Sequence, residues 1–199
     1  MTQPTDAELM ARAGAGDAPA FGQIVDRHKD GLVGYLSRLT GDRERAEELA
    51  QETFLRVFQH VDRYRENGHF AAYLFKIATN LLRSDARKER RRHSLAHMVS
   101  TPGDELDRSA AVGAVNGAHA AGPDAIAMNS ELQRQLSAAI SALPIHYRVP
   151  LVLHDVEDWT YDEIARVTGS KEGTIKSRIS RGRKQLRKRL EPFRDGVEA

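Results

Sequence analysis

The hydrophobic residues in the first part of the chain recur with the spacing of an α-helix. Between residues 21 and 39 they follow one another mostly at steps of three and four, which places them on one stripe of a helical surface. The members of this stripe are Phe21, Ile24, Val25, Leu32, Val33, Leu36 and Leu39. The pattern therefore predicts a long first helix with one buried face.

The same spacing continues through two further segments. Gly41 and Asp42 provide a helix stop and an acidic helix start, after which a second stripe is formed by Leu49, Ala50, Phe54, Val57, Phe58 and Val61. A polar stretch from Asp62 to His69 contains the turn-forming pair Asn67-Gly68. A third stripe consists of Phe70, Leu74, Ile77, Ala78 and Leu81. Residues 1–93 are thus predicted to form one helical domain.

A change of composition follows this domain. Residues 94–125 are rich in small residues, Gly and Pro and show no sustained period, as is typical of a flexible linker. Helical spacing resumes with Ile126, Leu132, Leu136, Ile140 and Leu143, and Pro144 is expected to end that helix. Strand-like alternation is absent, so the predicted fold class is all-α, with a second small helical domain over residues 126–199.

Near the C-terminus the sequence contains the signals of a helix-turn-helix. Thr160 and Glu163 have the spacing of a capping box, which predicts the start of a short helix. Gly169 is suited to the left-handed turn after that helix, and Ser170 is a candidate cap for the next one. The order helix, glycine turn, helix is the plan of many DNA-binding domains.

The second of these helices is amphipathic. At 100° per residue, its apolar face is formed by Ile175, Ile179, Gly182, Leu186 and Leu190. The opposite face carries Lys176, Ser177, Ser180, Arg181 and Lys184. Lysine and arginine reach phosphates and guanine, and serine bonds to base edges, so this face suits the major groove. The alternative is a solvated helix in a protein-binding bundle.

Basic residues cluster in two places, although the formal net charge is only +2. The first cluster is Arg83, Arg87, Lys88, Arg90, Arg91 and Arg92. The second is Lys171, Lys176, Arg178, Arg181, Arg183, Lys184, Arg187, Lys188 and Arg189. Two separated basic surfaces indicate two contacts with a polyanion such as DNA.

Composition and motifs argue against several other classes. The chain has no cysteine, which excludes disulfides, thiolate metal sites and a cysteine nucleophile. It shows neither a signal peptide nor an apolar run long enough for a membrane span, so a cytoplasmic protein is expected. His93 and His97 have helical spacing but no third metal ligand nearby. We therefore predict no metal, no cofactor, no small-molecule substrate and no enzymatic activity.

The C-terminal segment resembles a known family. LPIHYRVPLVLHDVEDWTYDEIARVTGSKEGTIKSRISRGRKQLRKRL is similar to the fourth conserved region of bacterial sigma factors of the extracytoplasmic-function (ECF) group. The resemblance implies docking on the β flap of RNA polymerase and reading of the minus-thirty-five promoter element. The implied DNA-facing residues are Thr174, Lys176, Ser177, Ser180 and Arg181. Lys184, on the same face, is expected to contact phosphate.

The N-terminal half resembles the second conserved sigma region over TGDRERAEELAQETFLRVFQHVDRYRENGHFAAYLFKIATN. That resemblance implies binding to the β′ clamp of polymerase, with Glu48, Gln51, Glu52 and Arg56 as the contact residues. It also implies recognition and melting of the minus-ten element, with a flipped base held by the loop from Asp62 to His69. The implied minus-ten residues are Tyr73, Phe75, Lys76, Asn80, Arg83, Arg87 and Lys88.

Together these features predict a sigma factor whose partners are core RNA polymerase, promoter DNA and an anti-sigma factor. A one-component transcription regulator with a sensing or dimerising N-terminal half is the main alternative. A recombinase-like DNA enzyme would need a nucleophile in that half, and a protein-binding adaptor would not need two basic surfaces.

Overall fold

The computed structural model describes residues 3–65, 69–99 and 133–194 of the chain. Across these residues the secondary structure is helical, and no strand is present among them. The helices are α1 (Asp6–Gly14), α2 (Ala18–Thr40), α3 (Arg43–Gln59), α4 (Phe70–Val99), α5 (133–141), α6 (Ile145–Asp155), α7 (Tyr161–Thr168) and α8 (Glu172–Arg194), with a 3-10 turn at Val61–Arg63. The predicted all-α fold of two helical domains is confirmed.

The predicted boundaries between the domains fall partly outside these ranges. Helix α4 continues to Val99 and so includes the start of the predicted linker, whereas residues 100–125 lie outside the described part of the chain. Residues 126–132, the predicted start of the next helix, also lie outside it. The described helix α5 ends before Pro144, as expected.

The N-terminal domain is built from α1 to α4 around one apolar core. Gly41 ends α2 in the left-handed conformation at φ 74°, and the Asp42 side chain accepts a hydrogen bond from the Arg45 amide at the start of α3. Inside the core, the Tyr35 hydroxyl and the Thr79 hydroxyl are 2.8 Å apart. Both side chains are fully buried, and burial raises the Tyr35 pKa.

Helix α1 was not predicted, although Thr5 and Glu8 form a capping box at its start. Its position is fixed by Asp6, whose carboxylate binds Arg27 and lies 2.9 Å from His28 on α2. The His28 ring also lies 5.1 Å from the Phe70 ring. His28 is half-buried and thus lies at the boundary of the core.

The C-terminal domain consists of α5 to α8, and α6 was also not predicted. Pro150 lies inside α6, where it would normally disfavour a helix, but the surrounding residues are buried. The buried side chains of this domain include Leu143, Val149, Leu151, Val152, Leu153, Ile164, Ile175 and Ile179. Burial of this apolar surface outweighs the hydrogen bond that proline cannot donate.

The two domains pack directly on each other. Helix α4 lies against α7, and α2 lies against α6. The Phe75 ring on α4 is 5.0 Å from the Trp159 ring, which precedes α7. As a result the apolar residues of both domains form one continuous core. Periodicity along the sequence does not predict this contact.

The helix-turn-helix begins with the predicted capping box. The Thr160 side chain accepts a hydrogen bond from the Glu163 amide, and the Glu163 carboxylate accepts one from the Thr160 amide at 2.8 Å. Gly169 adopts the predicted left-handed conformation at φ 64°. The prediction that Ser170 caps the next helix is wrong: α8 begins at Glu172, and the Ser170 hydroxyl accepts a hydrogen bond from Arg178.

Replacing Thr160 with alanine should lower the free energy of unfolding by about 1 kcal/mol, because the amide at the first turn of α7 loses its acceptor. Chemical denaturation of the full chain at neutral pH measures this change. Ser180→Ala, which removes an exposed hydroxyl in the interior of α8, serves as the control and should change stability little.

The same capping box predicts a pH dependence. Hydrogen bonds from Thr160 hold the pKa of Glu163 below its ordinary value of 4.5. The depressed pKa means that this stabilisation is present above pH 4.5 and is lost as pH falls through the lowered pKa of the folded protein. The difference between Thr160→Ala and the parent chain should therefore shrink in acid. A difference that stays constant to low pH would contradict the capping assignment.

Candidate nucleic-acid interface

Helix α8 packs against the other helices of the C-terminal domain along one face. Ile175 and Ile179 are buried, and Gly182 lies against Leu151 and Tyr147 of α6. A Cβ atom at Gly182 would lie 3.0 Å from a methyl of Leu151 and 3.5 Å from the backbone oxygen of Tyr147. This close approach fixes the rotation of α8 and so determines which side chains face outward.

The outward face carries the side chains expected to meet DNA. Lys176, Ser177, Ser180, Arg181 and Lys184 are all exposed. Thr174 is only partly exposed and lies at the edge of this face. The structure therefore brings all the predicted upstream-element residues together on one side of the domain.

A cleft of about 480 Å³ lies beside this face, between α8 and the start of α7. Its lining is formed by Tyr161, Lys176, Ile179, Ser180, Arg183, Lys184 and Arg187. The Lys176 ammonium lies 5.3 Å from the centre of the Tyr161 ring and 2.7 Å from the Glu172 carboxylate. A hydrogen bond from Lys176 to Glu172 raises the lysine pKa, so this residue stays cationic.

Arg183 of the cleft is held by an ion pair, and it was not among the predicted site residues. Its guanidinium forms a bidentate ion pair with the carboxylate of Asp155 at the end of α6, with Nε 2.9 Å from Oδ2. Arg183 and Arg187 continue the line of Lys176 and Ser180 at helical spacing. This spacing could have indicated both arginines from the sequence. The place of Tyr161 in the cleft depends on how α7 packs, so the sequence did not indicate it.

In the N-terminal domain, most of the predicted downstream-element residues share one stripe of α4. Tyr73, Lys76, Asn80, Arg83 and Arg87 follow one another at steps of three and four. Lys76, Asn80, Arg87 and the neighbouring Lys88 are exposed. This stripe presents cations and an amide to solvent beside an aromatic residue.

Tyr73 belongs to an aromatic cluster at the start of the stripe. Its ring lies 5.2 Å from Tyr64 and 6.4 Å from Phe70. Burial of the hydroxyl raises the Tyr73 pKa. Residues 66–68 of the predicted base-binding loop lie outside the described part of the chain, whereas Tyr64, within the same loop, adds a second aromatic ring to this cluster. Tyr64 was included in the predicted loop but was not singled out as a site residue.

Phe75 does not belong to this surface. It is only 6% exposed and lies between Tyr35, at 4.8 Å, and Trp159, at 5.0 Å between ring centres. Phe75 is buried because its side of α4 faces the C-terminal domain. Arg83 is also partly covered: its guanidinium donates to the Thr168 carbonyl at 3.4 Å, and burial lowers its pKa.

The predicted polymerase-binding residues lie together on α3. Gln51 and Arg56 are exposed, Glu52 pairs with Arg56 at 2.8 Å, and Glu48 pairs with Arg45. Leu55 and Phe58 lie on the same side, 50% and 45% exposed. Helical spacing predicted Phe58 as a member of the buried stripe, and Leu55 was not predicted as part of any site. Exposed apolar groups ringed by charges are typical of protein-binding surfaces.

No cluster of His, Asp or Glu able to hold a metal ion occurs within residues 3–65, 69–99 and 133–194. The side chains of His93 and His97 lie outside the described part of the structure. Among the described helices, none has both the length and the apolar character to cross a membrane.

The helix-turn-helix with an exposed basic face places the C-terminal domain in a class that commonly binds DNA. Comparison with known proteins specifies the family further. A sequence model of Sigma-70 region 2 matches residues 24–92, and one of Sigma-70 region 4 matches residues 133–186. The two matches cover separate domains in this order along the chain.

Curated relatives agree with these matches. The ECF RNA polymerase sigma factor SigW of Bacillus subtilis is 33% identical over 88% of this chain and 91% of its own length. The ECF RNA polymerase sigma factor SigE of Mycolicibacterium smegmatis is 37% identical over 85% of this chain, which spans 61% of that relative. The chain therefore belongs to the ECF RNA polymerase sigma factors.

Solved structures share the fold. CnrH, in complex with the cytosolic domain of CnrY, is 22% identical with a TM-score of 0.66, covering 94% of this chain and 97% of CnrH. The sigma factor RpoE of Bartonella quintana, in complex with the anti-sigma factor NepR, is 23% identical with a TM-score of 0.63, covering 86% of this chain and 96% of RpoE. At these identities the likeness supports the helical fold.

Proposed function

We propose that the chain binds core RNA polymerase and directs it to promoters by contacting two DNA elements with two domains. The observation that carries this proposal is the presence of separate basic stripes on α4 and α8, each on its own sigma-like domain. Phosphate contacts from such stripes supply affinity, and polar groups among them supply sequence preference. The role is that of a specificity subunit in the cytoplasm and involves no catalysis by this chain.

For the upstream, minus-thirty-five element, we assign the outward face of α8. Lys176, Arg181 and the serines lie in the first half of α8, and the N-terminal part of a recognition helix is the part that reaches base edges. Lys184 and Arg187, further along, suit the phosphate backbone. Thr174 is partly covered and is assigned to the edge of the contact.

For the downstream, minus-ten element, the proposed residues lie on α4. Lys76, Arg83, Arg87 and Lys88 would hold phosphates, and Asn80 offers an amide to a base edge. Tyr73 and Tyr64 provide aromatic surface on which an unpaired base can stack. Phe75 faces the C-terminal domain in this structure, so we do not assign it a direct DNA contact here.

Polymerase binding is assigned to the outer face of α3, through Glu48, Gln51, Glu52 and Arg56. Leu55 and Phe58 add apolar area to this face, which strengthens the assignment to a protein partner. The second polymerase contact, with the β flap, is assigned to the C-terminal domain as a whole. An anti-sigma factor is a further proposed partner, since the RpoE relative was solved with one.

On the upstream element, Arg181→Ala should cost about 1 to 3 kcal/mol of binding free energy and relax the sequence preference, because a base contact is lost. Lys184→Ala should weaken binding to all sequences alike and reduce the salt slope by about one. Titration of matched and scrambled duplexes at several salt concentrations distinguishes the two. Equal loss for Arg181→Ala on both duplexes would show that Arg181 contacts only phosphate.

Adding positive charge to the outer face of α3 should weaken binding to core polymerase. The double change Gln51→Lys and Glu52→Lys places two cations on the proposed contact face, and we expect a loss of about tenfold or more in affinity. Competition for core enzyme against the parent chain measures it. Stability should change by less than about 1 kcal/mol, because the broken Glu52–Arg56 pair is at the surface.

A matched control is available on α2. Gln23→Lys with Asp26→Lys makes the same change in net charge at exposed positions and breaks the surface pair between Asp26 and Lys29. This control should bind core polymerase as the parent does. If both double variants lose affinity equally, the effect is one of overall charge and the assignment to α3 fails.

A further inference from the structure

Helix α1 is joined to α2 by polar contacts at its start. One oxygen of the Asp6 carboxylate accepts a hydrogen bond from Arg27, and the other lies 2.9 Å from Nε2 of His28. Arg27 also donates to the Pro4 carbonyl at 2.8 Å. The side chains of His28 and Asp6 are only 16% and 24% exposed, so water competes weakly for the contact between them. The start of α1 therefore fixes the orientation of the imidazole ring.

The His28 ring connects this contact to the aromatic residues at the start of α4. Its centre lies 5.1 Å from that of the Phe70 ring, which is only 4% exposed. The Phe70 ring in turn lies 5.6 Å from Tyr64, edge-on, and 6.4 Å from Tyr73. We call Tyr64, Phe70 and Tyr73 the aromatic cluster. Because protein interiors are closely packed, the position of the Phe70 ring limits the positions of the two tyrosine rings.

The other end of α1 supports the same cluster through the backbone. Helix α1 lies against the 3-10 turn at Val61–Arg63. A Cβ atom at Gly14, the last residue of α1, would lie 4.0 Å from a methyl and from the carbonyl oxygen of Val61. That carbonyl accepts a hydrogen bond from the Tyr64 amide at 3.3 Å. Helix α1 thus supports Phe70 from its first residue and Tyr64 from its last.

We infer that Asp6 and His28 are positioning residues for base capture, which hold the aromatic cluster, through Phe70, in the arrangement on which an unpaired promoter base stacks. The inference rests on the proposed function, because it concerns how the downstream element is held once its strands separate. A ring already in position loses little conformational freedom when a base binds, so more of the stacking energy contributes to affinity. Neither residue contacts DNA, and Asp6 acts through His28.

A purely stabilising role for the same contact would have a different effect on DNA binding. If the contact between Asp6 and His28 only stabilised the fold, its loss would reduce the fraction of folded chains and weaken every DNA contact in the same proportion. A positioning role affects only the base that stacks on the aromatic cluster. The dependence of binding on individual bases therefore distinguishes the two roles.

The test measures binding of a single DNA strand that carries the downstream element to core polymerase associated with the full chain. Each base in turn is replaced by an abasic site, and the resulting loss of affinity is the penalty for that position. The position whose penalty disappears in Tyr73→Ala is the base that stacks on the cluster. In the parent chain, stacking on an aromatic side chain predicts a penalty of about fivefold or more at that position. Asp6→Ala and His28→Ala should each reduce this penalty by about threefold or more and leave the other penalties unchanged, because the rings are in position for only part of the time.

Further variants test whether Asp6 acts through His28. Asp6→Asn keeps an acceptor for Arg27 and a hydrogen-bonding partner for the imidazole, so it should retain the parent penalty. Asp6→Ala should add nothing in a chain that already carries His28→Ala, because residues that act through one another are not additive. Asp26→Ala is the matched control: it removes an exposed carboxylate from α2 and breaks its ion pair with Lys29. It should also retain the parent penalty.

Three results would overturn the inference. They are an unchanged penalty at the stacked position in both Asp6→Ala and His28→Ala, an equal loss of affinity on all the strands, and an equal reduction of the penalty in Asp26→Ala. The second result would assign the contact to stability alone. The proposed base capture fails differently: in that case no abasic site weakens binding of the parent chain, or Tyr73→Ala removes no penalty. The two failures are therefore distinguishable.

Discussion

The arrangement of the two domains depends on one partly buried cation, Arg148, which donates hydrogen bonds at two helix ends. The last carbonyls of an α-helix have no partner within the helix, and burying them unpaired is costly. Arg148 provides donors for the Leu39 carbonyl at the end of α2 and for the Leu143 carbonyl just after α5. Its positive charge also suits the negative end of a helix dipole. One side chain thereby donates hydrogen bonds to carbonyls near the ends of helices from both domains.

This solution is conditional on the domains being together. Removing a guanidinium from water is unfavourable unless its hydrogen bonds are made, which is why burial lowers the Arg148 pKa. The rings of Tyr35, Phe75 and Trp159 stack beside this polar contact and add apolar area to it.

The local features of the fold were largely predictable from the sequence. The apolar stripes predicted α2, α3 and α4, and short-range chemistry predicted the caps at Gly41, Asp42 and Thr160, because each depends on neighbouring residues alone. Helix α6 was missed because Pro150 argues against a helix unless burial compensates. The Ser170 cap was predicted wrongly because the Ser170 hydroxyl accepts a hydrogen bond from Arg178. This contact depends on packing and not on neighbouring residues alone.

Part of the candidate site was also predictable from the sequence. Residues on the outer face of α8 followed from helical spacing, and they are exposed as expected. Phe75 could not be placed correctly, because its burial depends on Trp159 from the other domain. The exposed Leu55 and Phe58 resembled core residues in the sequence, since periodicity does not show whether another element covers a given face.

The central claim is that the chain confers promoter specificity on RNA polymerase through two DNA-contacting domains. The most direct measurement is transcription in vitro with core polymerase on genomic fragments, followed by mapping of the start sites. We expect discrete starts, each preceded by the same pair of elements at a fixed spacing. Transcripts that are no more specific than those of core polymerase alone would contradict it.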